Sequence, residues 1–350
     1  MVEVLAERYP GLVCDLDGVV RRGSVAVPYA VEQLTALTSS VVYATNNASL
    51  TPQEVAGQLV GLGLAVGPDQ VVTSSQAAAA YVASLFPAGA PVLSVGGPGV
   101  AAALAEVGLT PVPTAEAGVV AVLQGYGPDV TALDLAEASY AIEGGATWVA
   151  TNRDATLPTH RGIAPGNGAL LGAVATATGR QPSASAGKPE PPLYDLSVTR
   201  LGLPKSDVLA IGDRLDTDIL GAMAAGLDSL WVLTGVDDLL SFATAPGRPA
   251  PTYAAGDLRA LAHPPLVPRR EGQEWVCGTV RLAVGWEHGD AVVRCSGADD
   301  ADALIGVATA ALVHGRDTIG APGGVLVRIA TTVAEELVRL ATEPGGVAAQ

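Results

Sequence analysis

A chain of 350 residues, 49% hydrophobic and 15% charged, has the length for two or three domains and the composition of a packed protein, not a disordered one. Its net charge of −16 offers little to offset phosphate repulsion, which excludes general nucleic-acid binding. Its three cysteines, Cys14, Cys277 and Cys295, are sparse and odd in number, so no disulfide framework is expected and a reducing cytoplasm fits.

The first residues carry acids early and no apolar run, so no signal peptide is expected. The apolar run 11–14 then ends abruptly in Asp15-Leu16-Asp17-Gly18, the most informative stretch of the chain. Residues i and i+2 of an extended segment point the same way, so Asp15 and Asp17 share a face where a strand meets a loop. In an open α/β sheet ligands bind at that strand end. Two carboxylates there suit a divalent cation, or a nucleophile beside a proton carrier. A polar strand end with a turn would look the same. Cys14 is expected to pack as a small buried side chain.

Further strands are expected at 41–45, 91–95, 118–123, 147–150, 208–211 and 229–233, mostly as unbroken apolar runs suited to parallel strands covered on both faces. Thr51-Pro52-Gln53-Glu54 marks a helix start, and 130–142, 168–178 and 192–201 are helix candidates. No charge occurs between Asp69 and Glu106, but Pro87, Pro91 and Pro98 cut that stretch into helix, strand and helix, which argues against a membrane span. This alternation predicts an α/β protein with a doubly wound parallel sheet. Residues 180–187 read as a linker and 262–270 as a proline-rich boundary. After it come strands at 274–284 and 291–295 about a turn at Glu287-His288-Gly289-Asp290, then helices at 299–314 and 325–341.

Three more stations carry chemistry. Thr45-Asn46-Asn47 ends the strand at 41–45, where a hydroxyl and backbone N–H groups can hold phosphate oxygens; an Asn-rich turn is the alternative. Gly187-Lys188-Pro189 offers a point charge for a phosphate, unless Lys188 is an ordinary surface lysine. Only Lys188 and Lys205 are lysines among the 19 basic residues, so each carries extra weight. Last, the strand at 208–211 runs into Gly212-Asp213-Arg214-Leu215-Asp216-Thr217-Asp218, an acid cluster suited to Mg²⁺ or to a helix N-terminus.

Taken in this order, the four segments resemble the motifs of the haloacid dehalogenase superfamily, over about residues 10–262. Asp15-Leu16-Asp17-Gly18-Val19, Thr45-Asn46-Asn47, Gly187-Lys188-Pro189 and the acid cluster at 212–218 match its first to fourth motifs. The long insert resembles the α/β cap of the p-nitrophenyl phosphatase and phosphoglycolate phosphatase branch, with Thr151-Asn152-Arg153-Asp154, Pro158 and Pro165–Ala169 as the return to the core. The resemblance implies a Rossmann-like core at 1–77 and 183–262, an inserted cap at 78–182, and a small C-terminal α+β appendage at 271–350.

The resemblance also implies roles. Asp15 attacks phosphorus and Asp17 moves protons. Mg²⁺ binds Asp15, the backbone carbonyl of Asp17 and Asp213, with Asp218 supporting the shell. Thr45, Asn46 and Lys188 hold the phosphoryl oxygens. Asn152, Asp154, His160 and Arg161 are candidates for reading substrate, although Arg161 also reads as an exposed loop arginine.

With its appendage the whole chain resembles an actinobacterial group whose tail is likened to an acetyltransferase fold. That implies a cytoplasmic, Mg²⁺-dependent phosphatase of a small phosphorylated metabolite. Glycerol 3-phosphate comes first, with phosphoglycolate, pyridoxal phosphate or a nucleotide as alternatives. A binding or regulatory protein on the same scaffold is the alternative of another class. No nucleic acid or membrane partner is expected, and a homodimer follows by analogy with other caps. The tail's glycine-rich run at 316–324 lacks acetyltransferase spacing, so the tail is expected to be non-catalytic. His288 and His314 show no metal-ligand spacing.

Overall fold

The computed structural model describes residues 3–115, 118–159, 161–244, 249–287, 290–297, 300–317 and 323–342. His160, His288 and residues 318–322 of the glycine-rich run lie outside the described residues.

A six-stranded sheet runs in the order Tyr253–Ala255, Asp228–Val232, Val208–Gly212, Gly11–Cys14, Ser40–Thr45, Val71–Thr73, with every pair parallel. Strand Gly11–Cys14 is buried along its whole length, as an apolar run without alternation requires at the centre of a parallel sheet. Cys14 lies level with Ile211 on one side and Tyr43 on the other. Asp15, Asp213 and Asn46 therefore emerge at one edge. The chain leaves the central strand towards Ser40–Thr45 and later returns on its other flank. That edge is a topological switch point, where a crevice opens.

A second sheet of five parallel strands has the order Ala184–Ser185, Thr147–Ala150, Ala121–Gln124, Pro91–Val95, Thr110–Val112. Helix Ser74–Leu85 joins the two sheets and crosses residues 77 and 78. Its Ala78 and Val82 share one buried cluster with Val13, Val42 and Ala210 of the first sheet and Val92, Leu123 and Val149 of the second. Ala184–Ser185, inside the stretch that reads as a linker, is the edge strand of the second sheet. The antiparallel hairpin Thr156–Thr159 with Gly162–Pro165 follows no alternating apolar pattern, and its Ile163 is exposed.

The C-terminal region is a four-stranded antiparallel sheet, Arg269–Glu271, Glu274–Cys277, Val280–Glu287 and Asp290–Ser296, with helices Ala301–Asp317 and Gly323–Thr342. The expected hairpin is present, with Glu287 paired to Asp290. Its apolar core is continuous with the first sheet's flank: Val280, Leu304, Val307 and Ile329 cluster with Leu215, Ile219, Trp231 and Phe242. Among the described residues no helix is long and apolar enough to cross a membrane.

Candidate active site

The switch-point edge forms one wall of a cavity of about 610 Å³. Asp15, Asp17, Thr45, Asn46, Asn152, Asp154, Lys188, Asp213 and Asp218 all line it. Nine of the residues singled out from the sequence thus meet in one place, drawn from both sheets. Arg161 does not join them; it stands exposed at the turn of the Thr156–Pro165 hairpin, outside the cavity lining. A larger groove of about 920 Å³, bordered by Tyr43, Gln70, Glu106 and Arg200, contains none of these residues.

Lys188 is the hub of the first wall, and it is 3% exposed, not a surface lysine. Its Nζ donates to Asp15 Oδ1 at 2.5 Å and to Asp218 Oδ1 at 2.9 Å. Asp218 Oδ2 accepts the Arg214 backbone N–H at 3.0 Å, across a π-helical turn, Leu215–Ile219, that brings the acid back towards the strand end. The Tyr194 hydroxyl donates to the Asp218 carbonyl at 2.9 Å. Asp213 is fully buried; Oδ2 accepts the Val236 N–H at 2.7 Å, and its carbonyl accepts the Trp231 indole N–H at 3.1 Å. Gly18 (φ 96°) and Gly235 close over it, and a Cβ at either position would collide with the Asp213 carboxylate.

Burial pushes the Asp15 carboxyl well above the usual carboxylate range against the pull of Lys188, and Asp218 and Asp213 add repulsion. Burial, then Asp218, pushes Asp213 up to about 7. Burial pulls the Lys188 ammonium down, but Asp15 and Asp218 together hold it well above the usual lysine range. Three carboxylates facing one ammonium leave this wall short of positive charge. Asp15, Asp213 and Asp218 each present an oxygen within 4.8 Å of the others. Asp213 Oδ1 is buried with no hydrogen-bond partner among the described residues. An all-oxygen donor set with one buried oxygen unspent fits a hard divalent cation such as Mg²⁺.

The second wall is held by hydrogen bonds. Asn46 Oδ1 accepts the Lys188 N–H at 2.8 Å, and its Nδ2 donates to the Lys188 carbonyl at 3.0 Å and to Asp154 Oδ2 at 3.2 Å. Both ends of this carboxamide are therefore engaged in joining the two walls. Any phosphate-holding role for Asn46 would fall to its backbone. Asn152 Nδ2 donates to the Asn46 carbonyl at 2.7 Å, and Asn152 Oδ1 accepts the Asp154 N–H at 3.1 Å. Burial raises Asp154 despite the Asn46 hydrogen bond. Thr45 is buried, with Oγ1 accepting the Asn47 N–H at 3.0 Å. Cys14 is buried as expected, its Sγ donating to the Asp15 carbonyl at 3.3 Å.

Arg21 and Gln58 also line the cavity and were not singled out from the sequence. Arg21 lies four residues beyond Asp17, past the strand end. Gln58 sits in helix Pro52–Gly61, which the Thr51/Glu54 capping box starts as expected.

A family model described as haloacid dehalogenase-like hydrolase matches residues 12–110, and a HAD-hydrolase-like model matches residues 185–261. Over 257 residues the chain is 46% identical to the D-glycerol 3-phosphate phosphatase of Mycobacterium tuberculosis, covering 73% of this chain and 72% of that protein. Over 255 residues it is 36% identical to the acid sugar phosphatase of Staphylococcus haemolyticus, covering 72% of this chain and 95% of that protein. The crystal structure of a glycerol phosphate phosphatase from Mycobacterium tuberculosis in complex with magnesium superposes with a TM-score of 0.79 at 39% identity, over 89% of this chain and 92% of that one. That match extends past both parallel sheets into the C-terminal region.

Proposed function

The chain belongs to the haloacid dehalogenase-like hydrolases, and on that footing we propose that it hydrolyses small phosphomonoesters, glycerol 3-phosphate first among them, through a phosphoryl group carried on Asp15. The observation that carries this reading is the linkage of Asp15 and Asp218 through the buried Lys188, beside an Asp213 oxygen that has no hydrogen-bond partner among the described residues. A carboxylate held by one lysine at the mouth of a cavity is a nucleophile aimed at an anionic ester.

Asp15 and Asp213 would hold Mg²⁺, together with the Asp17 carbonyl as the family resemblance implies, with Asp218 supporting the shell. When bound, the ion offsets the repulsion between an anionic nucleophile and an anionic ester. In the first half-reaction an Asp15 oxygen forms a bond to phosphorus as the ester P–O bond breaks. The electron pair of that bond stays on the alkoxide oxygen, which takes a proton from Asp17. In the second, a water oxygen attacks phosphorus, Asp17 takes the water's proton, and Asp15 departs as a carboxylate. Lys188, Thr45 and the Asn46 backbone stabilise charge on the transferring phosphoryl oxygens.

The second sheet acts as a cap in this proposal. Tyr126, Asn152, Asp154 and Leu157 face the same cavity and are placed to read the alcohol. The likeness to two glycerol phosphate phosphatase matches supports glycerol 3-phosphate over the other esters. Three free cysteines, Cys14, Cys277 and Cys295, support a cytoplasmic setting.

Phosphate release across a panel of phosphomonoesters, with Mg²⁺ and with EDTA, tests the reading. Magnesium-dependent turnover with glycerol 3-phosphate preferred is expected. Preference for phosphoglycolate, pyridoxal phosphate or a nucleotide would overturn the substrate and leave the chemistry. Folded protein that releases no phosphate from any ester would overturn both.

A further inference from the structure

We infer that Arg21 is a positioning residue: its guanidinium, braced on Gln58, holds Asp17 in the rotamer that delivers a proton to the leaving alkoxide. The inference rests on the role of Asp17 proposed above and adds a residue to it.

The two aspartates of the first motif are held very differently. The Asp15 side chain is 13% exposed and gripped by Lys188, whereas the Asp17 side chain is 59% exposed. An exposed aspartate samples several rotamers, and a proton donor confined to one of them gains the orientation that catalysis needs. Arg21 supplies the confinement. Its Nε donates to Asp17 Oδ1 at 3.1 Å and leaves Oδ2 without a bond from the guanidinium. Its Nη1 donates to Gln58 Oε1, on the helix Pro52–Gly61.

The Arg21 backbone closes the same turn. The Gly18 N–H donates to the Arg21 carbonyl at 2.8 Å, and the Arg21 N–H donates to the Leu16 carbonyl at 2.9 Å. Arg21 also begins a two-stranded hairpin, Arg21–Arg22 with Val25–Ala26. Arg22 secures that hairpin from the opposite side by donating from Nε to the Thr234 carbonyl at 2.9 Å, beside the Gly235-Val236 segment that contacts Asp213.

An arginine that is 7% exposed costs desolvation, and it persists where planar, directed hydrogen bonds offset that cost. Its partners here are the proton carrier and a brace. The nucleophile is served by Lys188 instead.

The test compares two leaving groups. p-Nitrophenolate is a stable anion and departs without a proton, whereas an alkoxide needs one. kcat/KM covers only the steps up to the first irreversible one, ester cleavage. Arg21→Ala should therefore lower kcat/KM on glycerol 3-phosphate about 10- to 100-fold more than on p-nitrophenyl phosphate, the scale of a misplaced catalytic group. Arg21→Lys should recover part of that selective loss, and Asp17→Asn should show the same selectivity. Arg21→Ala should add little in an Asp17→Asn background. Should Arg21→Ala fail to fold, Gln58→Ala removes only the brace and should give a smaller loss of the same selectivity. Equal losses on both esters, or a raised KM with unchanged kcat on both, would overturn the inference while leaving the phosphatase reading intact. Wild-type protein that cleaves neither ester would overturn that reading and the inference with it.

Discussion

On the first sheet's side of the cavity, Lys188, Asp213 and Asp218 are buried, Asp15 is largely so, and Lys188 holds Asp15 and Asp218 by charge. On the second sheet's side, Asn152 and Asp154 are tied to Asn46 by hydrogen bonds, and the nearby hairpin is open to solvent. Buried charges tolerate almost no substitution, because removing one leaves its partner unpaired in a low-dielectric site. Hydrogen bonds between amide and backbone groups can be exchanged for others at a smaller cost. In the proposed function the first wall carries the reaction and the second reads the ester it is applied to. Asn46 joins them, with its carboxamide bridging Lys188 and Asp154.

Substitutions on each side test this contrast. The largest effect belongs to Asp15→Asn, which should lower kcat by at least about 10⁴-fold with circular dichroism unchanged, as loss of a covalent nucleophile does. Lys188→Met comes next. It should lower kcat about 10²- to 10³-fold. With EDTA present it should also cost about 3–5 kcal/mol of stability by chemical denaturation, because Asp15 and Asp218 lose their cation. Added Mg²⁺ should restore part of that stability.

The cap side should respond more gently and less evenly. Asn152→Ala should lower kcat/KM about tenfold, by an amount that differs from ester to ester, since a lost positioning bond discriminates among alcohols. An equal effect on every ester would mean that Asn152 serves the chemistry instead. Arg161→Ala should change kcat/KM less than about twofold, as surface substitutions away from a site do. A larger loss would place Arg161 at the substrate and revise the boundary of the cavity.

The sequence disclosed the two walls unequally, for the same physical reason. The strand ends at Asp15, Thr45 and Asp213 follow apolar runs that only a central parallel strand tolerates, and their charges are conspicuous there. Lys188 stood out because the chain holds so few lysines. Arg21 gave no such signal, since arginine is this chain's ordinary cation and its partner Gln58 lies 37 residues away. The Thr156–Pro165 hairpin was hidden because its exposed strands lack the alternation that burial of one face imposes. That exposure is also why Arg161 reads as near the site in sequence and lies outside it in space. Nor does any local pattern announce that Leu215 and Ile219, beside Asp218, share one buried cluster with Leu304 and Ile329 of the C-terminal region.

The measurement that bears most directly on this account is acid-quenched mass spectrometry of the protein during turnover of glycerol 3-phosphate with Mg²⁺. A phosphoryl adduct should be found on the peptide containing Asp15, formed and lost at rates that account for phosphate release, and missing from Asp15→Asn. Phosphate release at the full rate with no adduct, or an adduct on another residue, would contradict the assignment of Asp15 as the attacking group.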